Sequence, residues 1–140
     1  MKDKIKARSV PFSQTRSRHA SETAEDYVEA VMELIEEKGE CRVLDLARYF
    51  NVSHVTVSRI VKRLYEEELL YTQPYKPVEL TPKGTSLAKK VKERHAIVLD
   101  FLLELGVDKA NAYIDSEGIE HHVGPSTLNA MKRFLKKKVN

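Results

Sequence analysis

Along residues 21–38, Tyr27, Val28, Val31, Met32, Leu34 and Ile35 recur at three- and four-residue spacing, which predicts a helix with one apolar face. Ser21 with Glu22 and Glu25 gives it an acidic first turn, and Gly39 is a natural stop. A short helix follows from about Val43 to Phe50, and Asn51-Val52-Ser53 breaks it. Asn tolerates the left-handed backbone that a tight break needs, and Ser53 caps a further helix from about His54 to Glu67. Val57, Ile60, Val61 and Leu64 supply the buried face of that helix, so Arg59, Lys62 and Arg63 lie off it.

Residues 69–80 change period. Leu69, Tyr71 and Gln73, the turn Pro74-Tyr75-Lys76-Pro77, then Val78-Glu79-Leu80 predict a short two-stranded hairpin. Thr81 as cap and Pro82 at the first helical position restart a helix that runs to about Leu105 and stops at Gly106. Its apolar residues Leu87, Val91, Ile97, Val98, Phe101, Leu102 and Leu105 are too many for a lone surface helix, so a second partner is implied. Residues 108–122 and 125–138 predict two more helices, split by Gly124-Pro125. There is no internal repeat.

Composition narrows the classes. The 140 residues suffice for one compact domain, or two small ones sharing a core. No apolar run is long enough to span a membrane, and the basic N-terminus lacks the apolar stretch of a secretory signal. The single cysteine, Cys41, excludes an internal disulfide framework and fits a reducing compartment; it reads as a small packed residue. Five glycines and no tryptophan argue against a glycine-rich phosphate loop or a large β protein.

The net charge of +3 hides an uneven distribution. Residues 1–20 carry six Lys/Arg against Asp3 alone, and read as a mostly disordered basic arm. Residues 22–40 hold eight acids and one Lys, whereas residues 132–138 hold five Lys/Arg and no acid. Basic blocks point to polyanions. Acidic blocks that also contain His point to cations.

Helix, tight turn, capped helix and hairpin together make a winged helix-turn-helix. The second helix must enter a major groove, so its outer face needs short polar side chains first and basic ones further on. Ser53, His54, Val55 and Thr56 open this helix, and Ser58, Arg59, Lys62 and Arg63 continue it. Arg59 is the candidate for a bidentate contact to guanine, and Val55 for a thymine methyl. Ser53, Thr56 and Lys62 suit phosphates, which position without specifying. Tyr75 and Lys76 at the wing tip suit the backbone or minor groove. The expected partner is double-stranded DNA. The rival from another class is a protein-interaction module whose wing and basic helix bind an acidic partner.

The second constellation is Glu117-Gly118-Ile119-Glu120-His121-His122. On a helix Glu117, Glu120 and His121 stand at i, i+3 and i+4, so they project from one face. His95 lies late in the long helix, and Asp26 and Glu29 are again three apart on the first. If the three helices meet, four carboxylates and two imidazoles surround one pocket. That oxygen-rich set without thiolate suits Mn²⁺ or Fe²⁺ better than a cysteine-rich zinc site. Four carboxylates exceed the charge of one divalent ion, so two ions close together are the natural filling. Acid/His triplets on helices are commonly only solvated, and residues 117–121 alone leave that reading open. His122 points a step around the helix and reads as packed or supporting. A zinc-protease motif would need His where Glu117 stands, and no nucleophile or oxyanion site is evident, so an enzyme is not expected.

With both halves in view the chain resembles the diphtheria-toxin-repressor family of metal-dependent regulators, over about residues 22–138. The likeness is carried by Glu25-Asp26-Tyr27-Val28-Glu29 with Leu34-Ile35-Glu36-Glu37-Lys38-Gly39, by the recognition segment, by Glu93-Arg94-His95, and most specifically by Asp115-Ser116-Glu117-Gly118-Ile119-Glu120-His121-His122. The resemblance implies a mainly α fold: an N-terminal winged helix-turn-helix (residues 21–81) followed by an all-helical metal-binding and dimerisation domain (residues 82–140). It implies a homodimer with metal ligands Asp26, Glu29, His95, Glu117, Glu120 and His121, with Glu117 bridging two Mn²⁺ per subunit. Iron-type members carry Met and Cys where Asp26 and Glu117 stand, so oxygen donors here favour manganese, with Fe²⁺ second. There is no room for the C-terminal SH3-like domain of many iron-type members. The basic arm is the departure from the family pattern. The function so implied is a cytoplasmic, manganese-responsive regulator that represses manganese uptake genes from a palindromic operator, with no membrane and no small organic substrate. An iron- or zinc-responsive repressor of the same fold is the nearer rival.

Overall fold

The computed structural model describes residues 21–139, so the expected arm at residues 1–20 lies outside it. Among the described residues there are six helices: α1 (residues 21–38), α2 (Val43–Phe50), α3 (His54–Glu66), α4 (Pro82–Glu104), α5 (Lys109–Ile119) and α6 (Pro125–Val139). Two strands, β1 (Leu70–Tyr71) and β2 (Glu79–Leu80), lie between α3 and α4. The chain divides into an N-terminal unit, residues 23–90, and a C-terminal unit, residues 91–139 with 21–22.

The N-terminal unit is built as its pattern predicts. Val28 and Val31 of α1, Leu46 of α2, and Val57 and Leu64 of α3 are fully buried together, with Leu70 and Val78 from the hairpin. The Tyr27 ring stacks on Phe50, centroids 4.4 Å apart. Asn51 takes left-handed backbone at φ 54°, and the amide of Val52 donates to the Ala47 carbonyl at 3.0 Å, closing the turn. The Ser53 hydroxyl accepts from the Thr56 amide at 3.2 Å, satisfying one orphan donor at the start of α3.

The strands pair antiparallel with Leu70 opposite Leu80. A third piece joins them: the Val78 amide donates to the Cys41 carbonyl at 2.7 Å, in an isolated bridge. The sequence predicts only two strands, because a single bridging residue leaves no alternating pattern to read. Cys41 is fully buried there, and burial, then the nearby Asp45 carboxylate, pushes its thiol up to about 12, so it is inert packing. Thr81 caps α4 from both sides. Its hydroxyl donates to the Glu68 carbonyl at 2.6 Å and accepts from the Gly84 amide at 2.9 Å. A side chain at Gly84 would strike the Leu69 carbonyl oxygen, so only glycine lets β1 approach the first turn of α4 this closely.

The start of α2 hangs on Asp45. Its carboxylate accepts the Arg42 amide at 2.9 Å and pairs with Lys38 Nζ at 3.3 Å. The backbone hydrogen bond, then Lys38, holds the carboxyl below the usual aspartate range. A carboxyl depressed in the folded state stabilises fully above the unfolded value, and that contribution fades as pH falls through the folded one. We therefore expect Asp45→Asn to lower the urea-unfolding free energy by about 1 kcal/mol near neutrality. The gap to the parent protein should begin to narrow below about pH 4 and close as pH falls through the depressed folded-state value.

In the C-terminal unit Val91, Val98 and Ala112 are fully buried, and Phe101 of α4 meets Phe134 of α6 edge-on at 5.3 Å. Lys132 reaches Glu93 at 3.3 Å between the same helices. Asp108 caps α5, accepting the Asn111 amide at 3.1 Å. The helix expected over 108–122 is shorter than its pattern: α5 closes at Ile119, and the His122 amide turns back to the Ile119 carbonyl at 3.0 Å. Glu120 keeps helical backbone at φ −56°, ψ −33°, so its side chain still leaves in the helical direction.

Candidate metal centre and nucleic-acid interface

The C-terminal unit brings three of the expected ligands together. His95 of α4 and Glu117 and Glu120 at the end of α5 offer donor atoms that all lie within 4.8 Å of one another. Glu120 has no exposed surface at all, an expensive place for a carboxylate unless cations or donors compensate it. His95 Nδ1 lies 2.6 Å from Glu120 Oε2 and 3.7 Å from Glu117 Oε1. That Nδ1 is buried, and no hydrogen bond is aligned along its contacts. Imidazole and carboxylate donors gathered this closely form a cluster that could hold a divalent ion. His121, almost fully buried, sets Nε2 3.3 Å from the other carboxylate oxygen of Glu120.

Supporting groups surround this cluster. Tyr113 places its ring edge-on to His95 at 5.8 Å, fixing the imidazole plane. Ser116 is fully buried beneath it and donates to the Tyr113 carbonyl at 2.9 Å. His122, read as packed or supporting, has Nε2 3.4 Å from Glu22 Oε2. The sequence reading placed Glu22 only in the acidic first turn of α1 and not among the site residues; its position one helical turn before Asp26 was the available signal. Asp26 and Glu29 stand on α1 in the N-terminal unit, both half-buried. The donor set of imidazole and carboxylate fits a hard or borderline divalent ion such as Mn²⁺ or Fe²⁺.

The other expected face belongs wholly to the N-terminal unit. His54, Val55, Ser58, Arg59, Lys62 and Arg63 are exposed on α3, and Ser53 is exposed just before it. Thr56 is half-buried, its hydroxyl 3.0 Å from that of Ser53, so these two serve the cap as well as any phosphate. Arg63 sits 3.7 Å from Glu67 and is partly neutralised, whereas among the described residues no acid forms an ion pair with Arg59. Tyr75 is 99% exposed at the wing tip, with Lys76 beside it. An open groove runs between α3 and the wing, bordered by His54, Ser58, Lys62, Tyr75 and Lys76. Arg42 also borders it, and sequence reasoning missed that residue because it precedes α2 rather than lying on α3.

Fold and site define a winged-helix DNA-binding protein with a second, metal-binding helical unit. Residues 19–78 match the family model described as iron dependent repressor, N-terminal DNA binding domain. Residues 81–139 match its partner, iron dependent repressor, metal binding and dimerisation domain. The transcriptional regulator MntR of Escherichia coli is 44% identical over 126 residues, covering 90% of this chain and 81% of that protein. The solved manganese regulator SloR superposes with a TM-score of 0.71 at 28% identity, covering 81% of this chain and 53% of that one. A manganese-dependent transcriptional repressor in complex with manganese gives a TM-score of 0.73 at 26% identity, covering 81% and 52%. The chain thus spans about half the length of these solved relatives.

The chain belongs to the iron-dependent repressor family, the diphtheria-toxin-repressor family of its sequence resemblance. It is a DNA-binding transcriptional regulator with a domain for divalent-metal binding and homodimerisation, and it is not an enzyme. Among the described residues no helix is long and apolar enough to cross a membrane.

Proposed function

We propose that this protein is a manganese-responsive repressor of manganese uptake genes, acting in the cytoplasm as a homodimer on a palindromic operator. The observation that carries the metal reading is the buried Glu120 carboxylate against His95 Nδ1, with Glu117 alongside. In this reading Asp26, Glu29, His95, Glu117, Glu120 and His121 would hold the metal, two Mn²⁺ per subunit. The absence of thiolate and thioether from this set supports manganese over the iron and zinc alternatives. Bound ions would supply positive charge to offset the carboxylates of this set. Without that charge the like-charged groups of the set would repel, and the reading heads would sample many separations. With the carboxylates neutralised, the two recognition helices hold one spacing. That spacing must be near one DNA turn, about 34 Å or a multiple, for both to enter successive major grooves. Metal then shifts a population that already exists.

On the DNA, Arg59 reads guanine and Val55 a thymine methyl, while Ser53, His54, Thr56, Ser58, Lys62 and Arg63 set register, and Tyr75 and Lys76 reach beside the groove. The dimer forms through the C-terminal unit, where α5 leaves Tyr113 and Ile114 more than half exposed, with Leu105 also uncovered.

Operator anisotropy with and without Mn²⁺ tests the reading. Affinity should rise roughly 5- to 150-fold with manganese. Equal affinity in chelator would reject it. Competition of Fe²⁺ and Zn²⁺ against Mn²⁺ at the same readout separates the nearer rivals.

A further inference from the structure

We propose that Arg42 is a positioning residue for DNA binding: it clamps the wing tip in its working turn and does not itself bind phosphate. The inference rests on the reading above that the wing reaches the duplex. Two of the guanidinium's donors are committed to protein partners. Nη1 donates to the Tyr75 carbonyl at 3.3 Å, across 33 positions of sequence, and Nε meets Glu40 Oε1 at 3.1 Å. Its own backbone is fixed from the other side, because the Arg42 amide donates to Asp45. Residues 41 and 42 therefore hold the wing at both ends. The Cys41 carbonyl takes the Val78 amide at the base, and the Arg42 side chain takes the Tyr75 carbonyl at the tip.

The tip needs such a hold. The Lys76 amide donates to the Gln73 carbonyl at 3.2 Å, closing a turn with Pro74 at its first corner and Tyr75 at its second. Tyr75 sits at φ 64°, left-handed backbone that favours glycine, and its ring is 99% exposed. Among the described residues nothing packs around the ring to secure that conformation, so the carbonyl contact to Arg42 adds to the Lys76–Gln73 hydrogen bond a restraint from outside the turn. With the turn held, Lys76 and Tyr75 are presented together beside α3, along the groove that Arg42 borders. Glu40 turns the guanidinium toward the wing and offsets its charge, which suits a clamp better than a phosphate contact.

The test uses the full manganese-loaded chain on operator duplex. Lys76→Ala should weaken binding, as the wing reading requires. Arg42→Gln should weaken it roughly three- to tenfold. The double variant should bind no worse than the weaker single one, because Arg42 acts through the wing. Arg42→Lys should fail to rescue, since an ammonium cannot serve the two partners that the planar fork serves. In the DNA-free protein, amide exchange at residues 75–76 should quicken in Arg42→Gln while α3 is unchanged. Additive losses, or wild-type binding by Arg42→Lys, would identify a phosphate contact and overturn the inference. Unchanged exchange at the tip would overturn it too. If Lys76→Ala binds normally, the wing reading itself fails, and the exchange measurement still shows whether the clamp exists.

Discussion

Glu120→Gln is expected to remove the response to manganese altogether. The variant should bind operator in saturating Mn²⁺ no better than the parent does in chelator, a loss of roughly 5- to 150-fold. The reason lies in where the carboxylate is. It has no exposed surface, so water cannot replace what an amide fails to supply. It also touches two imidazoles at once, with His95 Nδ1 at 2.6 Å and His121 Nε2 at 3.3 Å. An amide of the same shape keeps the packing but offers one weak oxygen donor in place of two anionic ones. The fold should survive, because a buried carboxylate in a cluster of acids costs more than it returns when no cation is bound. Thermal unfolding in chelator should therefore give a melting temperature at or above that of the parent. Unfolding with Mn²⁺ present should show the stabilisation by ligand in the parent only. A variant that still raises its operator affinity with Mn²⁺ would remove Glu120 from the site.

What could be read from the chain, and what could not, follows from the range of the interactions. Asn51, Ser53 and Thr81 were legible because each acts on neighbours within a few positions: a left-handed turn and two caps. The faces of α1 and α3 were legible because burial repeats with the helical period. The association of Glu117 with Glu120 was legible for the same reason, both lying within one stretch of helix. His95 could be joined to them only on the supposition that the helices meet, which the family resemblance then supported, since no periodicity links α4 to α5. Arg42 and Cys41 escaped because their partners, Tyr75 and Val78, are more than thirty positions away and are met through backbone atoms, which leave no trace in residue type. The early end of α5 escaped because Glu120 keeps helical angles and its amide still bonds to the Ser116 carbonyl, so the stop shows only where the His122 amide turns to the Ile119 carbonyl.

Ile114→Asp is expected to have the other large effect, by separating the subunits. Ile114 is 66% exposed on α5, with Tyr113 beside it at 57%, and α5 belongs to the domain that the family uses for dimerisation. A shallow, mostly apolar recess beside it is lined by Asp115, Gly118, Ile119, His122 and Val123, and a partner side chain can fill it. A carboxylate placed there must be desolvated in the dimer and meets its own symmetry mate if the contact is two-fold. Sedimentation equilibrium should show the variant as a monomer where the parent is a dimer. The consequence for DNA is larger than for the fold. Two linked half-site contacts gain roughly 10²- to 10⁴-fold over one by effective concentration, so the monomer should lose most of its operator affinity even with Mn²⁺ present. Manganese binding to His95, Glu117 and Glu120 should persist, because Ile114 is not among the groups that meet there. A variant that stays dimeric and binds operator normally would move the subunit contact away from this face of α5. Loss of metal binding together with dimerisation would show instead that the site is completed by the partner subunit.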